Sequence, residues 1–489
     1  MKRGFSFFTL CLITLLTAGS CKNSPKKEPP KDLFNLFVED PNASTFYSDR
    51  KGVFGKNGMV ASAHEEASKA GLEILQAGGN AVDAAIATHY ALVVVFPFAG
   101  NRGGGGFAIT RQHDGKLHSI DFREKAPLAA HRDMYLDKDG NVIQGLSLKG
   151  HLASGVPGSV DGTFEMHSKL GKIAWEKILG PAIRLAEKGV ILTEREARGL
   201  NNYKQTFLEV NGPDLQYFIK PDGTEWKKGD LLVQKDLAEC LKRIRDNGRE
   251  GFYSGKTADL LVAEMKKGGG IITHEDLRQY KSAWRKPLTG EYRGHKVISM
   301  APSSSGGIAL IQLLKLVEQY PLQEWGWNSP KTTQVMIEAE RRVYADRARW
   351  MGDTDFIKVP LDQLISKDYL KERWKDFNPE KASKSSDIQG GTVPGYESME
   401  TTHFSVVDKE GNAVSLTTTI NGGYGSKVIV EGGGFLMNNE MDDFSIKAGV
   451  PNMFGLTGNK ANEIAPGKRM LSSMTPTIVE KNGKLFMVV

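Results

Sequence analysis

Cysteine is scarce, with three residues in 489, and two of these, Cys11 and Cys21, lie in the N-terminal leader. Cys240 is then alone in the body of the chain, so no intramolecular disulfide is expected even in an oxidising compartment. An excess of one charge is also lacking. The formal net charge is +6, and losing Lys2 and Arg3 with a leader leaves about +4, too mild to imply nucleic-acid binding. The ten histidines show no metal-ligand spacing. Gly103 to Gly106 lacks the strand, helix and acidic spacing of a dinucleotide fingerprint, so tight backbone packing explains the run better. Ser303-Ser304-Ser305-Gly306-Gly307 is not followed by the Gly-Lys-Ser/Thr of a phosphate loop. Neither a metal nor a cofactor is implied. No linker interrupts the chain beyond its N-terminus, and 40% hydrophobic with 25% charged residues reads as one large interleaved globular unit.

The N-terminus has its own logic. Lys2-Arg3, an apolar run from Phe5 to Leu16 and the small residues Thr17 to Ser20 read as a secretory signal, too short to span a membrane. Small residues leading into Cys21 resemble a bacterial lipobox, with Ala18 where leucine is usual, and that resemblance implies a diacylglycerol anchor on Cys21. Residues 1–20 are expected to be the signal and 21–45 a lipid-anchored tether, which is polar and proline-containing over residues 22–31. The expected location is the bacterial periplasm or the outer membrane.

What is present is most informative at residues 399–425. Two alternating strands flank Lys409-Glu410-Gly411, a three-residue loop with glycine where a type I turn plus G1 bulge needs positive φ. Asp408 then faces Asn412, and Thr401 faces Thr419. Strand alternation puts Thr401, His403 and Ser405 on one face with Thr417, Thr419 and Asn421. A Thr-Thr pair alone reads as β-propensity and cross-strand packing.

The surrounding blocks add more. Thr401-Thr402-His403-Phe404-Ser405-Val406-Val407-Asp408, the run Gly432 to Phe444 and the run Leu471 to Thr477 resemble the catalytic subunit of γ-glutamyltransferase in order and spacing. Upstream, Gly78 to Ala85, Gly100 to Phe107 and Asp121-Phe122-Arg123-Glu124 do the same, so the resemblance covers roughly residues 50–489. That family is an N-terminal-nucleophile (Ntn) hydrolase. The resemblance implies an α+β fold, a four-layer αββα sandwich, and a precursor that cuts itself at Glu400-Thr401. Residues 46–400 would form the large subunit and 401–489 the start of the small catalytic one.

By the same resemblance Thr401 is the nucleophile and Thr419 orients its hydroxyl and amine. The chemistry fits: a free α-amine, with pKa about 7.7–8.0, can serve as base for a hydroxyl that cannot deprotonate unaided. A γ-glutamyl group carries an α-carboxylate and an α-ammonium, which need a cation at one end and anions at the other. Arg123 can fork onto the carboxylate, and the resemblance adds Ser472 and Ser473 there, with Asn421, Glu440 and Asp443 for the ammonium. The expected partners are glutathione-like γ-glutamyl substrates and amino-acid or peptide acceptors. Blander readings exist for each group. Arg123 between Asp121 and Glu124 can be a surface ion pair, Met441-Asp442-Asp443 an exposed turn, and Ser472-Ser473 a loop cap before Pro476.

Two departures stand out. Phe454, in a lid-like segment from Lys447 to Gly455, stands where many family members carry a tyrosine that bonds to the residue matching Asn421. A looser lid is expected. The chain also stops within Lys484 to Val489, which reads as a buried strand, before the Ser-Pro-Gly-Gly turn that forms the family's oxyanion hole. The expectation is a fragment of a longer enzyme, whose own activity is open. Two alternatives follow: a non-catalytic surface lipoprotein of the same fold, or a cephalosporin-acylase-like amidase. Periodicity further predicts helices over residues 61–75, 81–95, 172–200, 234–247, 256–267, 306–319 and 331–350, a hairpin over 105–123 that ends near Arg123, and a strand over 295–300.

Overall fold

In the computed structural model, residues 52–388 apart from Gln216, and residues 401–489, are described, with the backbone of two paired strands, Ser44–Thr45 and Ser48–Lys51. The signal, the tether through residue 43, Cys21 among it, and Glu400 lie outside the described residues. The unit Lys56–Val489 carries the site.

Along this unit run β1 (Gly58–Ala61), α1 (Glu65–Gln76), α2 (Ala81–Val95), β2 (Gly105–Arg111) and β3 (Leu117–Asp121). Next come β4 (Ala283–Arg285), β5 (Leu288–Tyr292), β6 (His295–Ser299), α3 (Gly306–Val317) and α4 (Pro330–Trp350). The last are β7 (Thr401–Asp408), β8 (Ala413–Thr419), β9 (Thr477–Lys481) and β10 (Lys484–Val488). One antiparallel sheet has the order β1-β7-β8-β2-β3-β4, and a second has β10-β9-β6-β5.

Alternation along β7 and β8 builds the layers. Phe404, Val406, Val414 and Leu416 pack with the wholly buried α2. The opposite face turns to the second sheet, where Phe107, Ile109 and Ala413 meet Ile298, Met300 and Ile478. Helices α3 and α4 close the far side through Leu316, Val335, Ala339 and Val343. The result is a helix-sheet-sheet-helix sandwich, with β7 beside the edge strand β1.

Local chemistry sets the register. Gly411 has φ +87°, the Asp408 amide donates to the Asn412 carbonyl at 3.0 Å, and Thr401 pairs with Thr419 as expected. Asp408 also accepts from the Ala81 amide at 3.0 Å, so the turn is tied to the start of α2, where Asn80 and Asp83 form a capping box. The glycine run is a close-packing device. A Cβ on Gly104 would lie 2.2 Å from the Thr419 carbonyl oxygen, and one on Gly106 would lie 2.4 Å from that of Thr417.

Some expectations need correction. The first helix begins at Glu65, because residues 58–61 pair with β7 and His64 caps the helix with its ring nitrogen. The stretch 172–200 breaks at Gly189, φ +87°, into Gly180–Lys188, a short strand Val190–Ile191 and a new helix Glu194–Asn211 with a Thr193 capping box. Strand β10 is half-buried at a sheet edge rather than buried.

Candidate active site

Thr401 opens β7 on the face that looks toward the second sheet, and Thr419 ends β8 opposite it. After Thr419 the chain turns sharply. Asn421 has φ +71°, and its amide donates to the Thr419 hydroxyl at 2.7 Å. Its side-chain nitrogen donates to the Asn439 carbonyl at 3.0 Å, which draws in the short 3-10 turn Glu440–Asp443.

Arg123 arrives from the other direction, two residues beyond β3. The Asp121 carboxylate accepts its backbone amide at 3.0 Å, and its guanidinium is fully buried. Nε donates to the Met470 carbonyl at 3.3 Å, Nη1 lies 2.9 Å from Glu440 and 3.6 Å from Glu124, and Nη2 pairs with Asp443. Ser472 and Ser473 follow Met470 and face the same space. The Ser473 hydroxyl is buried and, among the described residues, has no hydrogen-bond partner.

All eight candidates, Thr401, Thr419, Arg123, Asn421, Glu440, Asp443, Ser472 and Ser473, line one cavity of about 100 Å³. Among the described residues, Arg347, Phe454, Leu456 and Met474 also line it. A larger cavity of about 790 Å³, bounded by Phe96, Phe98, Tyr203 and Tyr424, contains none of them, so chemistry rather than size selects the site. Glu400 and Cys21, the other two positions singled out, lie outside the described residues.

The charges are crowded and buried. Burial pushes the Glu124 carboxyl up to about 8, with the Arg123 guanidinium opposing and Asp443 adding to the shift. Burial likewise raises Glu440 well above the usual carboxylate range, against the pull of Arg123 and with a push from Glu124. Burial disfavours the charged form of Arg123, but Glu440, Asp443 and Glu124 outweigh it and hold the guanidinium protonated. The Arg123 guanidinium thus faces three carboxyls, while Arg347 enters the cavity wall from α4. Burial pushes His403 down to about 4. Its Nδ1 lies 2.8 Å from the Thr417 hydroxyl, on the same face as the site but outside the cavity. Among the described residues no group of three His, Cys, Asp or Glu side chains is arranged to hold a metal.

Phe454 lines the pocket, and the nearby Met453 supplies a contact that the sequence did not suggest. Its sulfur lies 3.8 Å from the side-chain nitrogens of Asn421 and Asn439, while the Met453 amide donates to Asp442 at 2.9 Å. Arg347 was also missed. It continues the buried i, i+4 stripe Val335, Ala339 and Val343 of α4, and an arginine at the next position of an apolar stripe is the signal that could have marked it.

A four-layer αββα sandwich with a threonine at the start of a central strand defines an Ntn hydrolase. The chain belongs to the Gamma-glutamyltranspeptidase family, whose model matches residues 67–489. It is 49% identical over 437 residues to a glutathione hydrolase proenzyme of Pseudomonas sp. (strain A14), covering 89% of this chain and 76% of that protein. It is 45% identical to the glutathione hydrolase proenzyme of Escherichia coli (strain K12), covering 99% and 82% respectively. Among solved structures, the γ-glutamyltranspeptidase of Helicobacter pylori superposes with a TM-score of 0.67 at 45% identity, over 71% of this chain and 99% of that one.

Proposed function

We infer that the protein is a self-processing γ-glutamyltransferase and glutathione hydrolase. The observation that carries this reading is one small cavity that gathers Thr401 and Thr419 with the guanidiniums of Arg123 and Arg347, two acidic side chains, Asn421 and a serine pair. In the precursor the Thr401 hydroxyl attacks the Glu400 carbonyl carbon, the acyl group passes from nitrogen to oxygen, and water cleaves the ester. This frees the Thr401 amine. With a pKa of about 7.7–8.0, that amine takes the hydroxyl proton during attack on a γ-glutamyl amide and returns it to the departing amine. The γ-glutamyl ester on Thr401 then passes to water or to the amine of an amino acid or peptide. Residues 46–400 are the large subunit of this scheme, and 401–489 belong to the small one.

Charge explains the head group. The substrate α-carboxylate docks on Arg123 with Ser472 and the unpartnered hydroxyl of Ser473. Its α-ammonium docks on Asn421, Glu440 and Asp443, where burial and the mutual repulsion of clustered carboxyls favour a further positive charge. An acylase reading fits less well, because a glutaryl group has no ammonium to meet those acids. Comparison of γ-glutamyl and glutaryl anilides separates the two.

The decisive experiment is mass spectrometry of the protein expressed from its complete reading frame. Wild type splits at Glu400-Thr401, Thr401→Ala stays one chain, and a Thr401→Ala protein cut at that bond would end this reading. We further propose export as a lipoprotein held through Cys21, supported by the basic start, the apolar run and the small residues before that cysteine. Metabolic labelling with palmitate should mark wild type and not Cys21→Ala.

A further inference from the structure

The Ser303-Ser304-Ser305-Gly306-Gly307 loop binds no phosphate by its sequence, yet all three hydroxyls are buried and engaged. Ser303 donates to Asp121 at 3.2 Å, the same carboxylate that accepts the Arg123 amide. Ser304 donates to the Met474 carbonyl at 2.6 Å. The Ser305 amide and hydroxyl both donate to the Ser472 carbonyl, each at 2.8 Å, and the Ser472 amide donates back to the Ser303 carbonyl at 3.0 Å. Arg347, from α4, donates through Nε to the Ser305 hydroxyl at 3.0 Å and also lines the cavity. There is no slack between the two segments, since a Cβ on Gly306 would lie 2.0 Å from the Thr475 hydroxyl.

We propose that Ser305 and Arg347 are positioning residues that set the Ser472-Ser473 turn against Arg123 and so fix the enzyme's affinity for the substrate α-carboxylate. This rests on the role given above to Arg123, Ser472 and Ser473. The serine loop is a template: it grips the turn by its backbone and Arg123 through Asp121, so both halves of the carboxylate receptor share one reference frame. Arg347 orients the Ser305 hydroxyl toward the Ser472 carbonyl, leaving that hydroxyl no other donor direction in a dry site. A shift of the turn by a few tenths of an ångström weakens bonds to a planar carboxylate, whose geometry is demanding.

The test uses the processed enzyme and the variants Ser305→Ala and Arg347→Gln. Hydrolysis of γ-glutamyl-p-nitroanilide gives KM and kcat, and competitive inhibition compares L-glutamate with 4-aminobutyrate, which lacks the α-carboxylate. Either variant is expected to raise KM and the glutamate Ki about tenfold, the scale of one misplaced charge-assisted hydrogen bond, with kcat changed less than about threefold. The 4-aminobutyrate Ki should stay put. Equal weakening of both inhibitors, or no change in either, overturns the proposal. A purely structural defect would lower self-cleavage and kcat together and counts against it. If wild type itself binds 4-aminobutyrate as tightly as glutamate, the underlying assignment of the carboxylate receptor is what has failed. Should Ser305→Ala not accumulate as folded protein, Arg347→Gln, which leaves the serine backbone bonds intact, decides alone.

Discussion

Replacing Arg123 with lysine keeps a cation among Glu124, Glu440 and Asp443 but removes the fork. The guanidinium reaches the Met470 carbonyl, Glu440 and Asp443 from three different nitrogens, and one ammonium on a flexible stem cannot hold that spread. A substrate carboxylate therefore loses one of its two directed N–H contacts. A hydrogen bond to a charged group is worth about 1.5–3 kcal/mol, which converts to a rise in KM of about 10- to 150-fold. The head group is held equally before and during acyl transfer, so kcat should change little. Lysine also keeps a positive charge among the buried acids, so the fold survives. Arg123→Met instead strands them, at a cost of about 3–5 kcal/mol. The assay is steady-state hydrolysis of γ-glutamyl-p-nitroanilide, with glutarate and 4-aminobutyrate as competitive inhibitors. Arg123→Lys should weaken glutarate, which retains the matching carboxylate, and spare 4-aminobutyrate. A 4-aminobutyrate Ki that rises by the same factor would refute the assignment and make Arg123 a structural ion-pair centre.

Other outcomes follow from the same contacts. Thr419→Val removes the acceptor of the Asn421 amide, should cost about 1–3 kcal/mol and abolish processing, and Thr419→Ser should restore both; urea unfolding and gel analysis of the two chains check this. Gly104→Ala drives a Cβ to 2.2 Å from the Thr419 carbonyl, so it should destabilise the protein by about 1–3 kcal/mol and slow self-cleavage, read by thermal unfolding and time-resolved gels. His89 is fully buried in α2, both its ring nitrogens lack a hydrogen-bond partner among the described residues, and burial lowers it to about 4. A folded pKa below the unfolded value gives stability that is present above about pH 6.5 and lost as pH falls toward 4. His89→Leu should therefore be the more stable protein, with its margin over wild type widening by about 2–3 kcal/mol between pH 7 and 4.5. A margin that stays flat across that range in urea titrations would show that the ring is not buried uncharged.

The sequence resolved the hairpin because its register is a local matter. Gly411 can adopt the left-handed turn, Asp408 can cap it, and two-residue alternation does the rest. The same locality made α2 legible to the residue, since Asn80 and Asp83 announce its start. Where neighbours in space are far apart in sequence, local rules fail. The strand 58–61 took its pairing from β7, more than 340 residues away, and its last residue read as helix. Arg123 shows the limit most sharply. Its sequence neighbours Asp121 and Glu124 suggested a surface ion pair, but Asp121 gives one oxygen to the Arg123 amide and turns its charge to Arg285 and Arg469. The Arg123 guanidinium is released to meet Glu440 and Asp443, 317 and 320 residues onward. A surface pair would have been screened and worth little. Exchanging it for partners drawn from another part of the chain costs desolvation and crowds three carboxyls around one guanidinium. That crowding is what gives a zwitterionic head group a reason to enter.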